Sequence, residues 1–163
     1  MYLLDTGVVL ELREARRANA DPSLAAWAER MPAQRMFLSA LTLLELENAA
    51  SAAARRSEEA GAAWREWLDT RVASAFVGRI MPVDTAVVRR RAQLAYAEDR
   101  EGILAATALV HNLTLVTGSP AAYRAGRVKV LDPARYEPDG EAGDDWREAA
   151  RAGGEWLRNL FIR

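Results

Sequence analysis

Short strand-like runs recur along this chain with longer helical patterns between them, and that alternation limits the fold more than any other feature. The runs are Tyr2-Leu3-Leu4, Met36-Phe37-Leu38, Leu113-Thr114-Leu115-Val116-Thr117 and Val128-Lys129-Val130-Leu131. Arg79-Ile80-Met81-Pro82-Val83 reads as a further short strand or extended link. Strands alternating with helices predict an α/β chain, a three-layer α/β/α stack around a mainly parallel sheet covered on both faces.

The helical patterns fill the intervals. After Asp5-Thr6-Gly7, Val8, Val9 and Leu12 continue at helical spacing, with the charged stretch from Arg13 to Arg17 toward water. Asp21-Pro22-Ser23 predicts a helix start with Asp as cap, followed by an apolar stripe of Leu24, Trp27 and Ala28. Residues 39–54 read as a helix with Leu43, Leu46 and Ala50 inward. Residues 57–76 read as one long helix with Trp64, Trp67 and Leu68 on one side. Asp84-Thr85 caps a helix carrying Val87, Val88, Ala92 and Leu94. Residues 102–111 are almost wholly apolar and predict a core helix.

A chain of 163 residues, half of them hydrophobic, suits one domain with a real core. Residues 1–136 are expected to form it, and residues 137–163 to add a polar linker and an amphipathic helix bearing Trp146, Ala149, Trp156, Leu157, Leu160 and Phe161. Cysteine is absent, which removes disulfides and thiolate metal sites, and His111 is the lone histidine, so no two-histidine acid–base pair exists within the chain. Net charge is −1, giving no global pull toward nucleic acid. No apolar run is long enough to span a membrane, and the first residues lack a basic stretch before their apolar run. A cytoplasmic protein is expected.

Three acids stand where elements meet or line the core. Asp5 closes the first strand, where open parallel sheets gather ligands, although an Asp at that point is equally a helix cap. Glu45 lies among leucines in Leu41-Thr42-Leu43-Leu44-Glu45-Leu46, costly unless exposed, paired or metal-bound. Glu101 opens the apolar helix, with Glu98 and Asp99 just before it, where the helix dipole favours acids. Each singly is explained by capping or solvation. As a set they could surround a divalent cation with oxygen ligands.

Four ordered segments carry a resemblance to a known family. They are Met1-Tyr2-Leu3-Leu4-Asp5-Thr6-Gly7-Val8-Val9, Leu38-Ser39-Ala40-Leu41-Thr42-Leu43-Leu44-Glu45-Leu46, Glu101-Gly102-Ile103-Leu104-Ala105-Ala106-Thr107-Ala108 with the strand through Thr117, and Val130-Leu131-Asp132-Pro133. Together they resemble the PIN-domain family and its VapC- and FitB-like type II toxin ribonucleases. The resemblance implies a PIN-like fold and a toxin of a toxin–antitoxin system that hydrolyses RNA with Mg²⁺ or Mn²⁺. It implies Asp5, Glu45 and Glu101 as catalytic metal ligands, aided by Asp99, with Thr6 as a nearby hydroxyl. It also implies RNA as substrate, a small antitoxin as partner, and a homodimer.

The sequence departs from the family pattern at three places. Gly7 stands for the usual Asn, and Glu101 for the usual Asp. After Thr117 the family shows Arg and then Asn or Asp; here Gly118-Ser119-Pro120-Ala121-Ala122-Tyr123 leaves the fourth acidic position empty, with Ser119 able only to orient a water. The alternative reading is therefore a catalytically silent PIN-like domain acting as a protein- or RNA-binding module. A flavodoxin-like domain would need a glycine-rich loop after the first strand, and Gly7 alone does not make one.

The remaining features read as structural. His111 ends the core helix, where a cation suits the dipole. Arg16-Arg17, Arg55-Arg56 and Arg89-Arg90-Arg91 could touch RNA phosphates, but each suits a solvated helix face. Trp27, Trp64 and Trp67 are expected in the core or a dimer interface. The final helix either packs on its own domain, docks on a second subunit, or fills the antitoxin groove, with Arg158 or Arg163 placed near the acids.

Overall fold

The computed structural model describes residues 1–14 and 22–136. Five parallel strands run in the order β3-β2-β1-β4-β5: β1 (Tyr2–Leu4), β2 (Met36–Ser39), β3 (Ile80–Met81), β4 (Thr114–Val116) and β5 (Val130–Leu131). Helices connect them: α1 (Thr6–Glu14), α2 (Pro22–Arg30), α3 (Ala40–Arg56), α4 (Glu58–Glu66), α5 (Ala73–Ala75), α6 (Thr85–Arg91) and α7 (Asp99–Val110). The α/β class and parallel sheet agree with the sequence reading. The predicted tail helix, with Trp156, Arg158 and Arg163, lies outside the described residues, as do Asp21, Arg16 and Arg17.

Side chains on successive strand residues point to opposite faces, and β1 uses this to serve two cores. Leu4 joins Val8, Leu12, Trp27 and Leu46 on one face, while Leu3 joins Leu104, Ala105, Ala108, Leu115 and Tyr123 on the other. The chain leaves β1 toward β2 and β3, then crosses to β4 on the far side of β1. That reversal opens a crevice at the carboxyl ends of β1 and β4, the place where such sheets take ligands.

Several boundaries differ from the sequence reading. Residues 57–76 are helical but not uniform, because Trp67–Val72 forms a wide π turn between α4 and α5. The wider turn buries Trp67, Leu68 and Val72 together. On α3, Thr42 is fully buried and Leu43 only partly, since the Thr42 hydroxyl reaches the Leu4 carbonyl at 3.4 Å. On α6 only Val87 is buried; Val88 is 55% exposed, and the helix stops at Arg91, leaving Ala92 outside it. Arg13 does not face water: its side chain is 11% exposed and its guanidinium lies 3.9 Å from the centre of the Trp64 ring. Trp27 and Trp67 are core residues.

Helix α4 packs closely on α3 through Gly61. A Cβ at Gly61 would stand 2.6 Å from the Ala54 Cβ and 2.7 Å from its Cα. In an open helix Gly→Ala gains up to roughly 1 kcal/mol from propensity. Here the clash is with backbone, so Gly61→Ala is expected to destabilise by about 1–3 kcal/mol. Denaturant melts of the two proteins check it, and a more stable variant would show that α3 and α4 are not packed this tightly.

Candidate active site

Asp5 follows β1, and its backbone N–H donates to the Val116 carbonyl at 3.0 Å. The ladder therefore continues one step beyond the strand and fixes the side chain at the sheet rim. That side chain is 8% exposed. Its Oδ2 accepts from the Thr117 hydroxyl at 2.8 Å and from the Tyr123 phenol at 3.3 Å. Thr117 follows β4, and the backbone N–H of Ser119 donates to its Oγ1 at 3.1 Å, which orients the hydroxyl toward Asp5.

Glu45 is carried by α3, whose start is fixed by Ser39 as N-cap, accepting from the Leu41 N–H. The second acidic side chain thus sits in the first turns of the helix that follows β2, whereas Asp5 comes immediately after β1. The Thr6 hydroxyl donates to Glu45 Oε2 in a short contact. Glu101 lies in the first turn of α7. This helix begins at Asp99, three residues before the apolar stretch, so Asp99, Arg100 and Glu101 are all helical.

Arg100 joins the acids. Its Nη2 donates to Asp5 Oδ1 at 2.5 Å, its Nε to Glu45 Oε1 at 2.7 Å, and its Nη1 approaches Glu101 Oε1 at 3.4 Å. Three carboxylates from three separate elements therefore converge on one guanidinium. Burial alone would lower the Arg100 pKa, but its bonds to Glu45 and Asp5 outweigh burial and raise it, so the cation persists. Burial pushes the Tyr123 phenol up, and the Asp5 charge adds to the rise. Tyr123 thus stays neutral and serves Asp5 as a donor.

Of the residues singled out from sequence, Asp5, Thr6, Glu45 and Glu101 come together. Asp99 does not join them: it is 88% exposed and pairs with Arg91 at 3.0 Å. Ser119 is exposed and contributes its backbone N–H rather than its hydroxyl. Gly7 has open space around its missing Cβ, so close packing does not require glycine where the family usually carries Asn. The Arg89-Arg90-Arg91 cluster is not one solvated face, because Arg91 turns in to the carbonyls of Leu94 and Tyr96.

Arg100, Thr117 and Tyr123 escaped the sequence reading. Arg100 had one available signal, a cation lodged between Asp99 and Glu101 at the start of an apolar helix. Glu11 is a further acid near the rim: its Oε1 lies 3.9 Å from where a Cβ on Gly118 would stand, beside the emptied fourth position.

The donor set suits a hard divalent ion, being carboxylate and hydroxyl oxygens throughout. The guanidinium marks the point at which these acids stabilise a cation. As placed, no three His, Cys, Asp or Glu side chains among the described residues are grouped to hold a metal.

Comparison with known proteins bears on the family and the fold. The PIN domain model matches residues 2–128. Toxin FitB of Neisseria gonorrhoeae is 30% identical over 141 residues, spanning 82% of this chain and 98% of the relative. VapC ribonuclease Y4jK of Sinorhizobium fredii is 29% identical over 146 residues, spanning 85% and 99%. Among solved structures, FitAcB from Neisseria gonorrhoeae superposes with a TM-score of 0.74 at 29% identity, covering 83% of this chain and all of that one.

Proposed function

This chain belongs to the PIN-domain family, among its FitB- and VapC-like toxins, and on that premise we propose that it is a toxin-type endoribonuclease using Mg²⁺ or Mn²⁺. One observation carries the reading: Asp5, Glu45 and Glu101, distant in sequence, direct their carboxylates at a single cation. Held by Asp5, Glu45 and Glu101, a divalent ion would lower the pKa of a water and supply positive charge to the phosphate.

The chain's own residues prepare that site. Thr117 and Tyr123 hold Asp5 by one oxygen and leave the other for a cation. Thr6 holds Glu45 in the same manner. An RNA backbone would approach at the sheet rim beside Arg100, the most exposed member of the cluster. A small antitoxin restrains the enzyme in the cytoplasm, and the active species is a homodimer.

The second reading, a silent binding module, is favoured by one observation, the guanidinium lying among the acids. Incubation of the purified protein with RNA separates the two. Cleavage in Mg²⁺ or Mn²⁺, lost in EDTA and restored by Mn²⁺, is the expected result, together with growth arrest on expression. Intact RNA under every metal condition would replace the nuclease by the binding module.

A further inference from the structure

Arg100 occupies an unfavourable place for a cation. It is the second residue of α7, where the unpaired N–H groups of the first turn present the positive end of the helix dipole. The acids must therefore hold it there. They do so with three of the guanidinium's nitrogens on three different side chains, at 2.5, 2.7 and 3.4 Å. The hold is also incomplete. Three carboxylates against one guanidinium leave an excess of two negative charges in a partly buried pocket, and a dication would match them better than a monocation. Finally, the Arg100 side chain is 36% exposed, with a long flexible stem, so it has a route to water that Asp5, at 8%, does not.

We propose that Arg100 is an exchangeable internal cation: it neutralises the acid cluster in the metal-free protein and is displaced toward solvent when a divalent metal takes its position. This deepens the metal-dependent reading above and rests on it. The exchange makes the apparent metal affinity the product of two steps, release of the guanidinium and binding of the ion. A site competent only in the minor fraction with Arg100 released binds more weakly by that fraction. Arg100 thereby sets a threshold metal concentration below which the cluster stays closed. No covalent step is involved.

Two measurements on the full chain test it. Calorimetric titration with MnCl₂ compares the wild type with Arg100→Gln; the variant is expected to bind Mn²⁺ about tenfold tighter or more, as a site competent less than a tenth of the time would gain on losing its competitor. Equal or weaker binding by the variant overturns the proposal. Tighter binding alone could reflect only the lost positive charge, so the second measurement reads displacement itself. The Arg100 Nε–H resonance, assigned through bonds from its own backbone amide in the labelled wild type, is followed by ¹H–¹⁵N NMR while MgCl₂ is added. Movement to the position of a free arginine, with faster exchange with water, is expected as the ion binds. A resonance left unchanged at saturating Mg²⁺ means that metal and guanidinium coexist, and the proposal fails. This spectrum needs only the wild type, so it decides the matter even where Arg100→Gln does not fold. RNA cleavage in Mn²⁺ is scored separately. Cleavage with an unmoved resonance keeps the nuclease and discards the exchange, whereas absence of metal binding in both proteins discards the exchange and the metal-dependent reading together.

Discussion

Asp5→Asn is expected to lower RNA cleavage by more than about 100-fold while leaving the domain folded. Loss of a group one step removed from a metal typically costs 10–100-fold, and Asp5 is argued to be a direct ligand, so the larger figure is the floor. The substitution keeps the shape and one carbonyl oxygen, and removes the charge. The amide oxygen can still accept from Arg100, while the amide N–H₂ can donate to the Thr117 and Tyr123 hydroxyls. The cluster's excess of negative charge falls from two to one, which relieves repulsion between Asp5 and Glu45. Stability is therefore expected to stay level or rise slightly as cleavage collapses. Single-turnover cleavage and a thermal melt, run on the same preparation, check both halves. A variant retaining a tenth or more of wild-type cleavage would remove Asp5 from the chemistry. A variant that loses activity only because it unfolds would make the carboxylate a structural group.

The layout of this fold was legible because strand and helix periodicities differ so clearly along the chain. Leu3 and Leu4 are both apolar because β1 is covered on both faces, and a run of that kind signals a central parallel strand. Asp5 and Glu45 were legible by position, one at a strand end and one among leucines. The partners of Asp5 were not. Thr117 and Tyr123 reach it from 112 and 118 residues away, and nothing in local sequence distinguishes their hydroxyls from others. Arg100 was hidden by a boundary error: with α7 begun at the apolar stretch, the arginine falls in a loop, whereas the true first turn at Asp99 brings it to the acids. Arg13 was misjudged for a related reason. A charged residue in a charged run reads as solvated, yet its guanidinium lies over Trp64, 51 residues away in the chain. Long polar side chains with flat heads pack on apolar surfaces that only the fold reveals.

Trp27→Ala is expected to be the most destabilising single change outside the acid cluster, by about 3–5 kcal/mol. Trp27 sits on α2, is fully buried, and meets the ring of Tyr2 edge-on at 5.6 Å. It therefore ties α2 to the first strand, the element that Asp5 directly follows. Domains of this size have only about 5–15 kcal/mol in hand, so the loss is a large share of the total. Trp27→Phe should cost much less. The indole Nε1 is buried with no hydrogen-bond partner among the described residues, and an unsatisfied buried donor costs roughly 1–3 kcal/mol. Phenylalanine removes that donor, which offsets part of the lost volume. Trp64→Ala should also fall well below Trp27→Ala, because Trp64 is only partly buried and its contact with Arg13 is worth about 0.5–2 kcal/mol. Guanidinium melts of the three variants give the order directly. If Trp27→Phe loses as much as Trp27→Ala, the indole N–H has a partner and the ring is held by polarity as well as by packing. If Trp64→Ala proves the worst of the three, α2 is not what anchors β1, and the support for Asp5 comes instead from the α3–α4 side.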